Sequence, residues 1–178
     1  MNIRAVCFDM DGTLIRNTDS VRYLCGLNDN IGQLEDIERL ENEQQITWIE
    51  ADYRKVELIR GLEIDRVEYR FDENVELINN IGTVLTYLRE NQIRAALVTA
   101  GPGQVADILK MRYGFDDARA STYEVKNGRF TGKVLTHLGN IGKHNVVEEL
   151  CRKYGVGPDN WVAIGNSESD IEVFEMCA

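Results

Sequence analysis

Two aspartates stand one residue apart in Asp9-Met10-Asp11-Gly12-Thr13, directly behind the apolar run from Ile3 to Phe8. At the end of a strand, side chains at i and i+2 point to the same side. Both carboxylates can therefore enter one crevice, where a cation would relieve their repulsion. Gly12 allows the sharp exit that a side chain would obstruct. Ligand sites in open parallel sheets lie outside the carboxyl ends of strands, which is where this pair arrives. The plainer alternative is an acidic strand-end turn with Asp11-Gly12 as turn formers.

Three other stretches hold residues of the right type. In Leu97-Val98-Thr99-Ala100-Gly101-Pro102-Gly103, a hydroxyl at a strand end precedes glycines. That is either a helix start or a phosphate cradle of hydroxyl and backbone N–H groups. Gly142-Lys143-His144 opens a helix with a cation, which the helix dipole disfavours. Lys143 is either a solvated charge or faces a bound anion, and His144 reads as surface. Val162-Ala163-Ile164-Gly165-Asn166-Ser167-Glu168-Ser169-Asp170 follows another apolar run, and Asp170 is either a dipole-favoured acid at a helix start or a functional one.

The elements that must position these residues are four short apolar runs read as buried strands, Ile3 to Phe8, Ile93 to Val98, Ala118 to Tyr123 and Trp161 to Ile164. Between the second and third lies a helical pattern, Val105-Ala106-Ile108-Leu109, stopped at Gly114; another runs from Lys143 to Tyr154 and stops at Gly155. This alternation implies an α/β fold, a Rossmann-like parallel sheet sandwiched by helices. Asn127-Gly128, between Tyr123-Glu124-Val125 and Arg129-Phe130-Thr131, predicts one hairpin. Residues 17–74 have no clear strand. Ile31, Leu34, Ile37 and Leu40 suggest one helix, and Ile46, Ile49, Val56, Ile59 and Leu62, with Trp48 and Tyr53 among them, a second. We read 17–74 as a small helical cap inserted after the first strand, and 1–16 with 75–178 as the core.

At 178 residues, with 43% hydrophobic and 28% charged, the chain has ordinary globular composition and room for one domain with a modest insertion. A net charge of −10 argues against nucleic acid or an anionic membrane as partner, and leaves local cations, a metal among them, to attract phosphate. No apolar run approaches the ~20 residues of a membrane span, and Met1-Asn2-Ile3-Arg4 has no signal-peptide layout. Cys7, Cys25, Cys151 and Cys177 are widely spaced and only two histidines occur, so reduced thiols in a cytoplasmic protein are expected rather than zinc or disulfides.

Ile3 through Thr13 resembles motif I of the haloacid dehalogenase superfamily. The resemblance implies that Asp9 is the nucleophile taking the phosphoryl group, and that Asp11 protonates the leaving oxygen and then activates water. Thr99, with Ala100 and Gly101, matches the phosphate-binding motif II, and Lys143 matches the motif III lysine that neutralises nucleophile and phosphate. Gly165 to Asp170 is similar to motif IV, which holds magnesium. The implied metal set is Asp9, Asp11, Asn166 and Asp170, with Asn166 standing where relatives usually carry Asp. One negative charge fewer should weaken metal binding unless Glu168 compensates.

The cap length and the hairpin Lys126 to Gly132 resemble phosphoserine-phosphatase-like members. Those members place a glutamate where this chain has Thr18, beside Asp19. Arg39, Arg54 and Arg60 could meet a substrate carboxylate, but solvated helix positions are the preferred reading. Family members continue into at least one more strand after the helix that follows motif IV. Either that piece lies outside these residues or the sheet exposes an edge. The expected function is magnesium-dependent hydrolysis of a small phosphomonoester, phosphoserine-like among the candidates, by a monomer or homodimer. The alternative is a catalytically weakened phosphate-binding or regulatory protein of the same fold. A two-component receiver domain shares the Asp, Thr, Lys and magnesium chemistry, but keeps its phosphorylated Asp on a later strand and has no long cap.

Overall fold

A computed structural model describes residues 2–177. Five strands form one sheet: β1 (Ala5–Phe8), β2 (Arg94–Pro102), β3 (Asp117–Lys126), β4 (Arg129–Thr136) and β5 (Trp161–Ile164). Their spatial order is β4-β3-β2-β1-β5. All neighbours are parallel except β3 and β4, the hairpin. Its turn residues Asn127 and Gly128 both have positive φ, 52° and 73°, as the Asn-Gly dipeptide predicts. The expected third strand and the first hairpin arm are thus one continuous strand.

Every residue of β1 is buried, as a strand flanked on both sides and covered on both faces requires. Helices α6 (Ile81–Glu90), α7 (Gly103–Tyr113), α9 (Lys143–Tyr154) and α10 (Ile171–Met176) pack around the sheet. Gly114 and Gly155 end α7 and α9 in the left-handed conformation, φ 73° and 62°. A short helix α8 (Leu138–Ile141) precedes α9. Residues on one face, including Cys7, Val98, Val147, Leu150 and Trp161, form one apolar cluster. The other face, with Phe8, Leu97, Leu109 and Phe115, belongs to a larger one.

Residues 17–74 fold as five helices, not two: α1 (Ser20–Leu27), α2 (Ile31–Asn42), α3 (Trp48–Glu57), α4 (Ile64–Tyr69) and α5 (Phe71–Asn74). The expected second helix is shorter than its apolar run. Thr47 caps its start by accepting the Glu50 N–H, and beyond Glu57 the chain turns through Gly61, φ 87°. Ile59 and Leu62 are buried in that turn. The entering and leaving segments of the insertion meet as a stem, with Arg16 N–H donating to Glu76 O at 2.9 Å and Ile78 N–H to Leu14 O at 2.8 Å.

The inserted helices share the core of the larger cluster: Leu24, Leu34, Ile59 and Phe71 pack with Phe130 and Leu97 in one group. Backbone bonds also tie the insertion to the hairpin, Gly61 N–H to Phe130 O (2.8 Å), Phe130 N–H to Leu62 O (3.0 Å) and Ile64 N–H to Gly128 O (2.9 Å). The hairpin is therefore the insertion's anchor on the sheet.

Candidate active site

Register decides what meets at the carboxyl edge. Phe8 lies opposite Leu97 on one side and Ile164 on the other, so Asp9, Thr99 and the Gly165-Asn166 turn emerge close together. Asp9 N–H still donates to Ile164 O at 2.8 Å, which fixes the start of the loop. A cleft of ≈ 220 Å³ opens there, lined by Asp9, Asp11, Thr99, Ala100, Gly101, Lys143 and Asn166 from the sheet side. Asp19, Asp52 and Lys55 line it from the inserted helices.

Asp9 is 6% exposed and Lys143 5%. Lys143 Nζ donates to Asp9 Oδ1 at 2.7 Å and to Asp170 Oδ1 at 2.6 Å. The cation misplaced for the helix dipole is thus held by two buried carboxylates. Burial raises the Asp9 carboxyl above its ordinary value, more than the charge and hydrogen bond of Lys143 lower it. Burial would also raise Asp170, but Lys143 and the Ser167 hydrogen bonds outweigh it and hold that carboxyl below its ordinary value. Lys143 engages only Oδ1 of Asp9, so the other carboxylate oxygen is left to act.

Asp11 turns toward the first inserted helix. Its Oδ1 accepts the Ser20 N–H at 2.7 Å and its Oδ2 the Ser20 hydroxyl at 2.6 Å. Burial pushes the carboxyl up to about 7; Asp19 and Asp9 add to the rise and the Ser20 bonds oppose it. Gly101 makes this pairing possible, since a Cβ there would lie 2.6 Å from Ser20 Oγ and 2.8 Å from Asp11 Oδ2.

A carboxyl raised in the folded state favours folding below its unfolded value near 3.8, and that contribution is lost as pH rises through about 7. Asp11→Asn, measured in EDTA, should therefore raise the melting temperature at pH 8 by roughly 3–6 °C, with the gain shrinking as pH falls below about 7 and vanishing only below about pH 4. The amide can accept from the Ser20 N–H and donate to its hydroxyl, so the geometry survives. A pH-independent difference would refute the assignment.

Thr99 is buried, and its Oγ1 accepts the Gly101 N–H at 3.0 Å. Ser121 holds the same loop from behind, donating to Ala100 O at 2.6 Å while accepting the Leu138 N–H at 3.0 Å. Asn166 packs over Gly12; a Cβ on Gly12 would come within 2.2 Å of its amide nitrogen, and φ there is 74°. Thr13 donates to Asn166 Oδ1 at 3.3 Å.

The four side chains expected around a metal are not brought together as ligands. Asp11 is taken up by Ser20. Asp170 Oδ2 accepts from Asn166 N–H (3.1 Å), Ser167 N–H (3.0 Å) and the Ser167 hydroxyl (2.9 Å), while its Oδ1 takes Lys143. Asp170 organises the loop and the lysine, because its position in a capping box satisfies the carboxylate locally. Among the described residues no three His, Cys, Asp or Glu side chains converge as a metal cage. The Asp9 carboxylate and Asn166 Oδ1 remain as hard oxygen donors. That set fits magnesium, which binds through one or two protein oxygens and keeps several waters. Glu168 is exposed and does not line the cleft.

Several participants had no sequence signal beyond a helix cap. Ser20 follows Asp19, whose side chain accepts the Arg22 N–H at 2.7 Å. Arg39 and Arg54 lie in exposed pairs with Asp36 and Glu50, and with Arg60 stay outside the cleft; Lys55 enters it instead. Thr18 does not line the cleft, and Asp19 does.

A family model described as haloacid dehalogenase-like hydrolase matches residues 6–175. A phosphoserine phosphatase of Archaeoglobus fulgidus is 31% identical over 170 residues, 94% of this chain and 48% of that protein. A haloacid-dehalogenase-family hydrolase of Salmonella enterica serovar Typhi superposes with a TM-score of 0.89 at 20% identity, over 99% of this chain and 61% of that one. A phospho-aspartyl intermediate analogue of phosphoserine phosphatase superposes at 0.83 with 21% identity, over 99% and 84%. The chain spans about half the length of the curated relatives it first matches. Because the family model covers nearly the whole described length, the chain belongs to the haloacid dehalogenase-like hydrolase family.

Proposed function

We propose that this chain is a magnesium-dependent phosphomonoester hydrolase acting on a small phosphorylated metabolite. The observation that carries the reading is the division of labour between Asp9 and Asp11. One carboxylate is pinned on one oxygen by Lys143, while the other, bonded to Ser20 in the same cleft, has its carboxyl raised by burial to about 7.

Asp9 Oδ2 attacks phosphorus, forming an aspartyl phosphate as the ester P–O bond breaks. Asp11, protonated, delivers its proton to the leaving alkoxide; a group near 7 is suited to both halves of general acid–base work. Asp11, now ionised, takes a proton from water, whose oxygen attacks the aspartyl phosphate to release inorganic phosphate and restore Asp9. The Thr99 hydroxyl, oriented by the Gly101 N–H, and the Ala100 N–H bind phosphoryl oxygens, and Lys143 offsets the charge of nucleophile and phosphate. Asp9 and Asn166 would hold magnesium, which when bound neutralises the incoming phosphate. Residues 17–74 act as the cap that covers the cleft and excludes water. Four free thiols, two of them buried, suit a reducing cytoplasm.

Hydrolysis of p-nitrophenyl phosphate with added magnesium tests the reading; no turnover at any metal concentration would overturn it. Asn166 supports a second reading, a phosphate-binding protein with weakened catalysis, because the metal site has lost a charge. Asn166→Asp should restore it and tighten magnesium binding by about tenfold or more in titration calorimetry. Unchanged or weaker affinity would remove Asn166 from the site.

A further inference from the structure

The cap wall of the cleft has its own charge pattern. Asp52, on α3, is 20% exposed in its side chain and lines the cleft with Asp9, Thr99 and Lys143. Behind it sits His137, whose side chain is fully buried at the start of α8. His137 Nδ1 accepts the Gly139 N–H at 3.1 Å, which leaves the ring hydrogen on Nε2, 3.3 Å from Asp52 Oδ2. The ring stacks on Tyr53, centroids 5.3 Å apart, and lies against Trp48 at 5.7 Å. A buried imidazole wedged between two aromatic rings and directed at one carboxylate oxygen fixes that carboxylate's direction.

The cation that α3 supplies to the cleft is already engaged. Lys55 Nζ lies 2.8 Å from Glu41 Oε2 and 3.8 Å from Asp52 Oδ1, with its side chain 14% exposed. Burial lowers its ammonium, but the Glu41 hydrogen bond and the Asp52 and Glu41 charges outweigh it, so it stays charged and paired. Asp19 adds a further carboxylate on the same wall. A substrate carboxylate would have to draw Lys55 away from Glu41 and approach Asp52 and Asp19. A substrate ammonium meets the wall as it stands.

We propose that Asp52, positioned by His137, receives a cationic amine at the non-phosphate end of the substrate, so that small amine-bearing phosphomonoesters are preferred over carboxylate-bearing ones. This rests on the phosphomonoesterase reading above and names the substrate class of that site. His137 touches no substrate; it is a positioning residue.

The test compares kcat/KM for O-phosphoethanolamine, which has an amine and no carboxylate, with 2-phosphoglycolate, which has the reverse. The protein and Asp52→Asn, His137→Gln and His137→Leu are assayed with both, and with p-nitrophenyl phosphate as a measure of intact catalysis. The protein should prefer the amine ester, and Asp52→Asn should cut the amine-to-carboxylate ratio by about 30-fold, as loss of a charged hydrogen bond implies. His137→Leu should cut the ratio roughly fivefold, and His137→Gln, whose amide can donate to Asp52, should restore most of it. Preference for the carboxylate ester, or an unchanged ratio in Asp52→Asn, overturns the inference while hydrolysis of p-nitrophenyl phosphate leaves the phosphatase reading standing. No hydrolysis of any of the three esters defeats the phosphatase reading itself. Using a ratio keeps the outcome decisive if a variant loses folded protein.

Discussion

Replacing Asp9 by asparagine should reduce phosphomonoester hydrolysis by at least about 10⁴-fold while leaving the fold in place, because an amide of the same shape cannot take the phosphoryl group. The local electrostatics favour a folded variant. Asp9 and Asp170 share Lys143, two carboxylates to one ammonium, and the Asp9 carboxyl is raised because burial outweighs that single cation. With the amide in place, one carboxylate faces one ammonium, so thermal stability without metal should hold or rise. Mass spectrometry of the acid-quenched protein during turnover should show a phosphoryl adduct on the parent and none on Asp9→Asn. Residual activity within tenfold of the parent, with p-nitrophenyl phosphate and saturating magnesium, would move the nucleophile elsewhere.

Why Asp9 was legible in the sequence, and some of its neighbours were not, follows from how each is positioned. Strand ends are marked by apolar runs, and parallel pairing of Phe8 with Leu97 and Ile164 leaves Asp9, Thr99 and Asn166 within two residues of the paired edge, so short motifs could bring them together. The hairpin was legible because Asn127 and Gly128 accept positive φ. Ligand and organiser cannot be told apart by spacing. Asp170 sits where a metal acid is expected, yet its oxygens are consumed by Lys143 and by its own loop, a property of backbone path rather than residue type. Ser20 and His137 were silent for a different reason. One looks like any residue after a helix cap, and the other meets Asp52 across 85 positions of sequence through tertiary packing alone. In 17–74, Gly61 splits the expected second helix from α4 and α5, whose buried Val67 and Phe71 form too short a pattern to read as helices.

Lys143→Met should be the most destabilising single change in the site, by about 3–5 kcal/mol at pH 8, because it strands two buried carboxylates without their cation. Asp9 and Asp170 each lie within 2.7 Å of Nζ, and neither is more than 6% exposed. Solvent cannot replace the lost partner. Methionine fills much of the lysine's volume, so the loss reports charge rather than a cavity. The pH dependence separates this from a packing defect. Without Lys143 both carboxyls should titrate well above their ordinary values. The variant's deficit should then shrink as pH falls toward 5 and the stranded groups take up protons. In the parent, Asp170 is held below its ordinary value, so its stabilising contribution persists above pH 4 and is lost only in stronger acid. Urea unfolding at pH 8 and pH 5 measures both, and a deficit under 1 kcal/mol at pH 8, or one that does not change with pH, would contradict the buried-triad account. Lys143→Arg keeps the charge but needs more room than a site closed by Asp9, Asp170 and Val147 provides. It should recover part of the stability and little of the activity, since a bulkier guanidinium meeting both carboxylates would shift the Asp9 oxygen proposed to attack phosphorus.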